Sequence, residues 1–128
     1  MIWPENSSDL DPTSDPGAAA LISQAARAVG VPILVGAVLD GPGPNHDRNV
    51  GIVWDPATGP GQTYTKQHPV PWGEYIPLRS LARLVSKDVD LVRRDMVAGD
   101  RPGVLRVGPA TVADVICFEV AYDGIVRD

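Results

Sequence analysis

The sequence predicts an α/β fold, and three observations carry that expectation. An alanine-rich run with apolar residues at helical spacing lies between Gly17 and Gly30. The β-branched string VPILVGAVLD follows it at once. Further strand-length runs come after, RNVGIVWDP, QTYTK and VLRVGPATVADVICFEV. A helix joined by a short turn to a strand that is apolar on both faces is the unit of a layered α/β architecture.

Each element has its own local reason. The opening IWPENSSDLDPTSDP reads as the end of a strand followed by a loop rich in Asp, Ser and Pro. Ser14 and Asp15 supply N-cap signals, and Pro16 fits a first helical turn. Leu21, Ile22, Ala25, Ala28 and Val29 then recur at spacings of three and four, and Gly30 is a C-terminal stop. VPILVGAVLD is nearly continuous and reads as a strand buried on both faces. GPGPNHD is a turn, RNVGIVWDP the next strand, DPATGPG a hairpin-type turn, and QTYTK a short return strand. YTKQHPVPWGEYIP is a stiff, polar, proline-rich loop. A helix is expected from about Leu78, with Leu78, Leu81, Leu84 and Val85 sharing one face. RRDMVAGDRPG is loop, and two strands flank a Gly108-Pro109 turn, the second ending at Cys117.

The bulk numbers exclude several classes. The chain has 128 residues, enough for one small domain and one core. Its net charge of −5 argues against a nucleic-acid partner, whose phosphates call for a basic face. The longest apolar stretches are strand-length, so no membrane-spanning helix is expected, and Met1 leads into no secretory signal. One cysteine cannot staple the fold internally. The ends read as abrupt, and the chain is expected to be a segment of a longer protein, inactive and poorly soluble by itself.

Three residues far apart in sequence share one feature. Glu5, Lys66 and Cys117 each follow a stretch read as strand, and strand ends gather at one rim of an α/β sheet. A cysteine attacks as its thiolate, which a nearby cation favours. A carboxylate can take the thiol proton and return it to a leaving group. A fixed ammonium can stabilise the oxyanion formed when a carbonyl is attacked. These residue types suit acyl transfer through a thioester. Taken singly, each has a plainer reading: Cys117 a core residue, Glu5 a surface charge, Lys66 a solvated side chain. His68 reads as a loop histidine bonded to backbone rather than a base. Two His and one Cys, so scattered, make no metal site.

The strings WPE (Trp3–Glu5), YTKQHPVPWGEYIP (Tyr64–Pro77) and ICFE (Ile116–Glu119) resemble, in order and spacing, the three signature blocks of the carbon–nitrogen hydrolase, or nitrilase, superfamily. The string after Lys66 is similar to that of the apolipoprotein N-acyltransferase branch, rather than to the K-x-H-L-F type of soluble amidases. RNVGIVWDPATGPGQTY and ICFEVAYD are similar to the same branch. The resemblance implies an α-β-β-α sandwich, partial here and incomplete at both ends, over a 1–128 domain, with the membrane-spanning region outside this chain. It implies a Glu5-Lys66-Cys117 triad and no cofactor.

Further implications concern the surroundings of that triad. Glu74 would be a second essential carboxylate that orients Lys66; its plainer reading is a helix-entry acid. Trp72 and Tyr75 would line an acyl or head-group path. Glu119, with Phe118 between it and the nucleophile, would help position substrate from the same strand face as Cys117. Asn49 would support the site. Members of that branch move an acyl chain from a phospholipid to the cysteine and on to the N-terminal amine of a diacylglyceryl-cysteine lipoprotein, at the outer side of the bacterial cytoplasmic membrane. A soluble amidase using the same three residues, or an inactive fragment, stands as the alternative.

Overall fold

The computed structural model describes residues 1–127; Asp128, the last position of the expected domain, lies outside them. Helix α1 (Pro16–Val29) forms where the cap signals place it. The Asp15 side chain accepts from the Ala18 N–H, Pro16 sits in the first turn, and Gly30 ends the helix with φ +68°. That left-handed geometry is open to glycine at no steric cost.

Strands β1 (Ile33–Asp40), β2 (His46–Asp55) and β3 (Gly59–Thr65) form an antiparallel meander. The two-residue β4 (Asp95–Met96) adds in parallel at the start of β2, within a segment expected to be loop throughout. Residues Met1–Trp3 run beside β1 in parallel, with Trp3 N–H donating to Leu34 O and Leu34 N–H to Met1 O. The hairpin of β5 (Val104–Val107) and β6 (Ala110–Ala113) forms a second sheet.

Because side chains alternate along a strand, the central sheet has two working faces. Ile33, Val35, Ala37, Val50, Ile52 and Trp54 meet Ile22 and Ala26 of α1. The Trp54 indole N–H donates to Ser23 Oγ, which ties helix to sheet at 3.0 Å. On the opposite face Leu34, Val53 and Tyr64 pack against Leu105 and Ile116. The layers are therefore helix, sheet and second sheet, three of the four that the sandwich expectation names.

Two sequence expectations need correction. The buried stripe of α1 is Ile22 and Ala26, whereas Leu21 and Val29 are exposed. The helix expected from Leu78 is the short α2 (Arg79–Val85), followed by a 3₁₀ turn at Lys87–Leu91. Its predicted apolar face is exposed: Leu78, Leu81, Leu84 and Val85 all lie open, as does Leu91. The periodicity was real, but among the described residues no layer covers that face.

Candidate active site

The face opposite α1 carries the site, and two glycines open it. Gly36 and Gly51 are directly paired across β1 and β2. A Cβ on Gly36 would collide with the Pro4 carbonyl, and one on Gly51 with the Asp114 carboxylate. Glycine at both positions lets the Pro4–Glu5 segment and the Asp114–Cys117 segment lie close on the sheet. Between them is a cavity of about 250 Å³, bordered by Glu5, Asn49, Asp114 and Cys117 among apolar walls.

Lys66 follows β3 directly, held by its own N–H to Asn49 O and its carbonyl to Gly99 N–H. Its side chain is 1% exposed, so its ammonium needs partners. Glu74 Oε1 lies 2.8 Å away and Glu5 Oε1 3.6 Å away. Burial pushes the Lys66 pKa down, but the hydrogen bond and charge of Glu74, then the charges of Glu5 and Cys117, more than offset it, and the net direction is upward. Lys66 is therefore cationic at neutral pH.

The carboxylates are held in turn. Asn49, 2% exposed, donates through Nδ2 to Glu5 Oε1 at 2.6 Å and to Glu74 Oε1 at 3.5 Å. Glu74 Oε2 accepts from Val70 N–H at 2.7 Å, so the proline-rich loop folds back on its own glutamate. Glu74 is thus spent on Lys66, Asn49 and Val70, and not on the start of α2.

Cys117 is exposed and has φ +56°. The strand expected to reach it ends at Ala113, and Cys117–Ala121 is a 3₁₀ turn. The cause is Glu119, which is fully buried. Its carboxylate accepts from Ile116 N–H, Tyr64 O–H, Gln67 N–H and His68 N–H, all within 3.0 Å. The Ile116 contact reverses the chain, and the Gln67 and His68 contacts tie that turn to the residues just after Lys66. Glu119 therefore shares no strand face with Cys117; it joins the cysteine turn to the lysine loop. A non-glycine residue held at positive φ stores strain, of order 1–3 kcal/mol. Here the buried carboxylate enforces it.

The remaining expected residues spread outward. Trp72 is exposed at φ +67° and borders an apolar cavity of about 370 Å³ with Ile76, Val85 and Val89. Tyr75 faces a different cavity, with His68, Pro69 and Tyr122. Phe118 is exposed and meets Tyr122 edge-on, while His68 stacks on Tyr122. The structure thus brings Glu5, Lys66, Glu74 and Asn49 into one hydrogen-bonded cluster, with Cys117 on the same cavity. Trp72, Tyr75 and Phe118 stand apart from it. Sequence reasoning missed Tyr64, Asp114 and the glycine pair. The signal available was a glycine inside each of two apolar strands, VGAV and VGIV. Among the described residues no group of three or more His, Cys, Asp and Glu could hold a metal ion.

No family model matches the sequence. The chain is 39% identical to the apolipoprotein N-acyltransferase of Mycolicibacterium smegmatis over its full length, and spans 22% of that protein. It is 30% identical to the apolipoprotein N-acyltransferase of Pseudomonas syringae pv. tomato over 95% of its length, and spans 24% of that one. The chain thus corresponds to under a quarter of the relatives it matches along its length. A mutant amidase of Nesterenkonia AN1, from the nitrilase superfamily, superposes with a TM-score of 0.62 at 16% identity, over 98% of this chain and 45% of that one. That likeness shows a nitrilase-superfamily fold.

Proposed function

We propose, for a chain homologous along its whole length to one stretch of the apolipoprotein N-acyltransferases, that it carries the thioester-forming site of an N-acyltransferase. Glu5 takes the Cys117 thiol proton. The thiolate attacks the ester carbonyl of a phospholipid, and the Lys66 ammonium stabilises the oxyanion. As the C–O bond breaks, the lysophospholipid alcohol leaves with the proton from Glu5, and a thioester on Cys117 remains. The amine of a diacylglyceryl-cysteine lipoprotein then attacks that thioester, giving an amide and restoring the thiol. Glu74 and Asn49 hold Lys66 and Glu5 in place, and residues 1–128 form part of a carbon–nitrogen hydrolase domain.

The observation that supports this most is the buried cluster itself. Asn49 bonds both Glu5 and Glu74, Glu74 holds the Lys66 ammonium, and Glu5 and Asn49 border a cavity that an exposed, strained cysteine also borders. A second observation favours a lipid donor over a small water-soluble amide. The loop bearing Glu74 runs into an exposed apolar surface at Leu78, Leu81, Leu84 and Val85. Among the described residues no helix is long and apolar enough to cross a membrane. We assign anchoring to regions outside this chain, with the site at the outer side of the bacterial cytoplasmic membrane.

The test is intact mass spectrometry of the membrane-anchored protein that carries this chain, incubated with a phospholipid bearing an isotope-labelled acyl chain. The expected result is one acyl mass on Cys117, discharged as an amide when a diacylglyceryl-cysteine peptide is added. Discharge to water at the same rate with or without the peptide would favour hydrolysis. No acyl mass on Cys117 would overturn the proposal.

A further inference from the structure

We infer that the cavity beside Cys117 is the seat of the acceptor's ammonium group, held by the carbonyl oxygen of Asn49 and the carboxylate of Asp114. This rests on the acyl-transfer reading above and names which residues recognise the amine.

The first observation is an unmet acceptor. Asn49 is 2% exposed and borders the cavity. Its Nδ2 donates to Glu5 and Glu74, two carboxylates that can only accept, so the amide orientation is fixed. That leaves Oδ1 as an acceptor, and it is buried with no hydrogen-bond partner among the described residues. A buried polar atom without a partner costs stability unless something supplies one. What it needs is a donor.

The second observation is the charge beside it. The Asp114 carboxylate lies against the Cα of Gly51 in the same cavity. Asn49 and Gly51 are two apart on β2 and so face the same side, about 7 Å apart along the strand. The Asn49 amide and the Asp114 carboxylate thus border one cavity from the same face of the sheet. An ammonium has three donors and no acceptor, so it suits both oxygens at once. A neutral hydroxyl would leave the carboxylate charge uncompensated. A phosphate would be repelled, since Glu5 and Asp114 both border the cavity while the charge of Lys66 is taken up by Glu5 and Glu74. The donor's anionic headgroup therefore belongs elsewhere, and the cavity belongs to the amine.

The chemistry balances from this position. The bound ammonium passes one proton to Glu5, and its nitrogen attacks the thioester carbon. The C–S bond breaks, and the leaving thiolate takes a second proton from that nitrogen. An amide, a thiol and a protonated Glu5 result.

The test is titration of the protein with S-ethyl-L-cysteine methyl ester and with its N-acetyl derivative. Binding is read by calorimetry and by the NMR resonances of the Asn49 side-chain amide. The free amine is expected to bind at least about tenfold more tightly and to shift those resonances, a ratio in line with loss of a charge-assisted hydrogen bond. Asp114→Asn should remove the preference and Asp114→Glu should keep it, with each variant's circular dichroism confirming its fold. Equal binding of the two probes, or a preference that survives in Asp114→Asn, would overturn the inference. Acylation of Cys117 by labelled phospholipid is scored separately. Acylation without an amine preference removes the seat alone, whereas a preference without acylation removes the transfer reading and leaves the seat.

Discussion

The Lys66 ammonium lies 2.8 Å from Glu74 and 3.6 Å from Glu5. Its tighter partner is therefore the carboxylate of its own loop, eight residues on. Glu5 remains 31% exposed at the cavity while Lys66 is 1% exposed behind it. That division suits a base that must meet substrate and a cation that must not wander.

Removing Glu74 should thus hurt stability as well as chemistry. In Glu74→Ala the buried ammonium keeps only the longer contact, and breaking a buried pair costs about 3 kcal/mol. Urea unfolding at pH 7 checks the size. The pH dependence checks the cause. The folded-state pKa of Lys66 is raised, so its contribution is full below the unfolded value and is lost as pH rises through the folded one. Without Glu74 that alkaline loss should begin at lower pH.

Glu119 should behave as a structural clasp. Its carboxylate satisfies three backbone donors and the Tyr64 hydroxyl in a fully buried place. Glu119→Ala leaves all of them unmet, and each unsatisfied buried group costs about 1–3 kcal/mol. Hydrogen exchange should accelerate at Ile116, Gln67 and His68 together. Acceleration at Ile116 alone would mean that the two segments are not joined through this residue.

This clasp also marks where sequence reading stopped. Helix α1 and strands β1 to β3 were legible because caps, periodicity and turns act locally, and Asp15, Pro16 and Gly30 each sit where their own chemistry puts them. The convergence of Glu5 with Lys66 was legible from strand ends. The Cys117 turn was not, because VADVICFEV has strong strand propensity and only a long-range bond from Glu119 to the Tyr64–His68 segment overrides it. The exposure of Leu81 and Leu84 was equally hidden, since periodicity says that a face exists and not what covers it.

Strain at Cys117 gives an opposed pair of effects. Its φ of +56° is costly for an L-residue and free for glycine. Cys117→Gly should therefore raise stability by about 1 kcal/mol while eliminating the proposed acyl-enzyme. Cys117→Ala should eliminate the acyl-enzyme with no such gain, because alanine keeps the Cβ. Thermal melts of both variants against the parent distinguish relief of strain from a general effect of removing sulfur.

Asp114 should be tolerated at a cost in stability that depends on pH. Burial raises its pKa above the usual carboxylate value, reinforced by the nearby charge of Glu119. Among the described residues no hydrogen bond reaches its carboxylate, so the charged form gains nothing to offset that burial. The native state therefore binds the proton more tightly than the unfolded chain does. Stability is greatest below the unfolded pKa of 3.8 and falls as pH rises from there through the folded value. Asp114→Asn, which carries no charge, loses none of this stability and should melt higher than the parent as pH rises through the folded value. The two should converge as pH approaches the unfolded value. Melts recorded across pH 3.5 to 7, in about half-unit steps, would show the gap opening with rising pH. A gap of constant size would mean that the carboxylate is solvated in the folded protein.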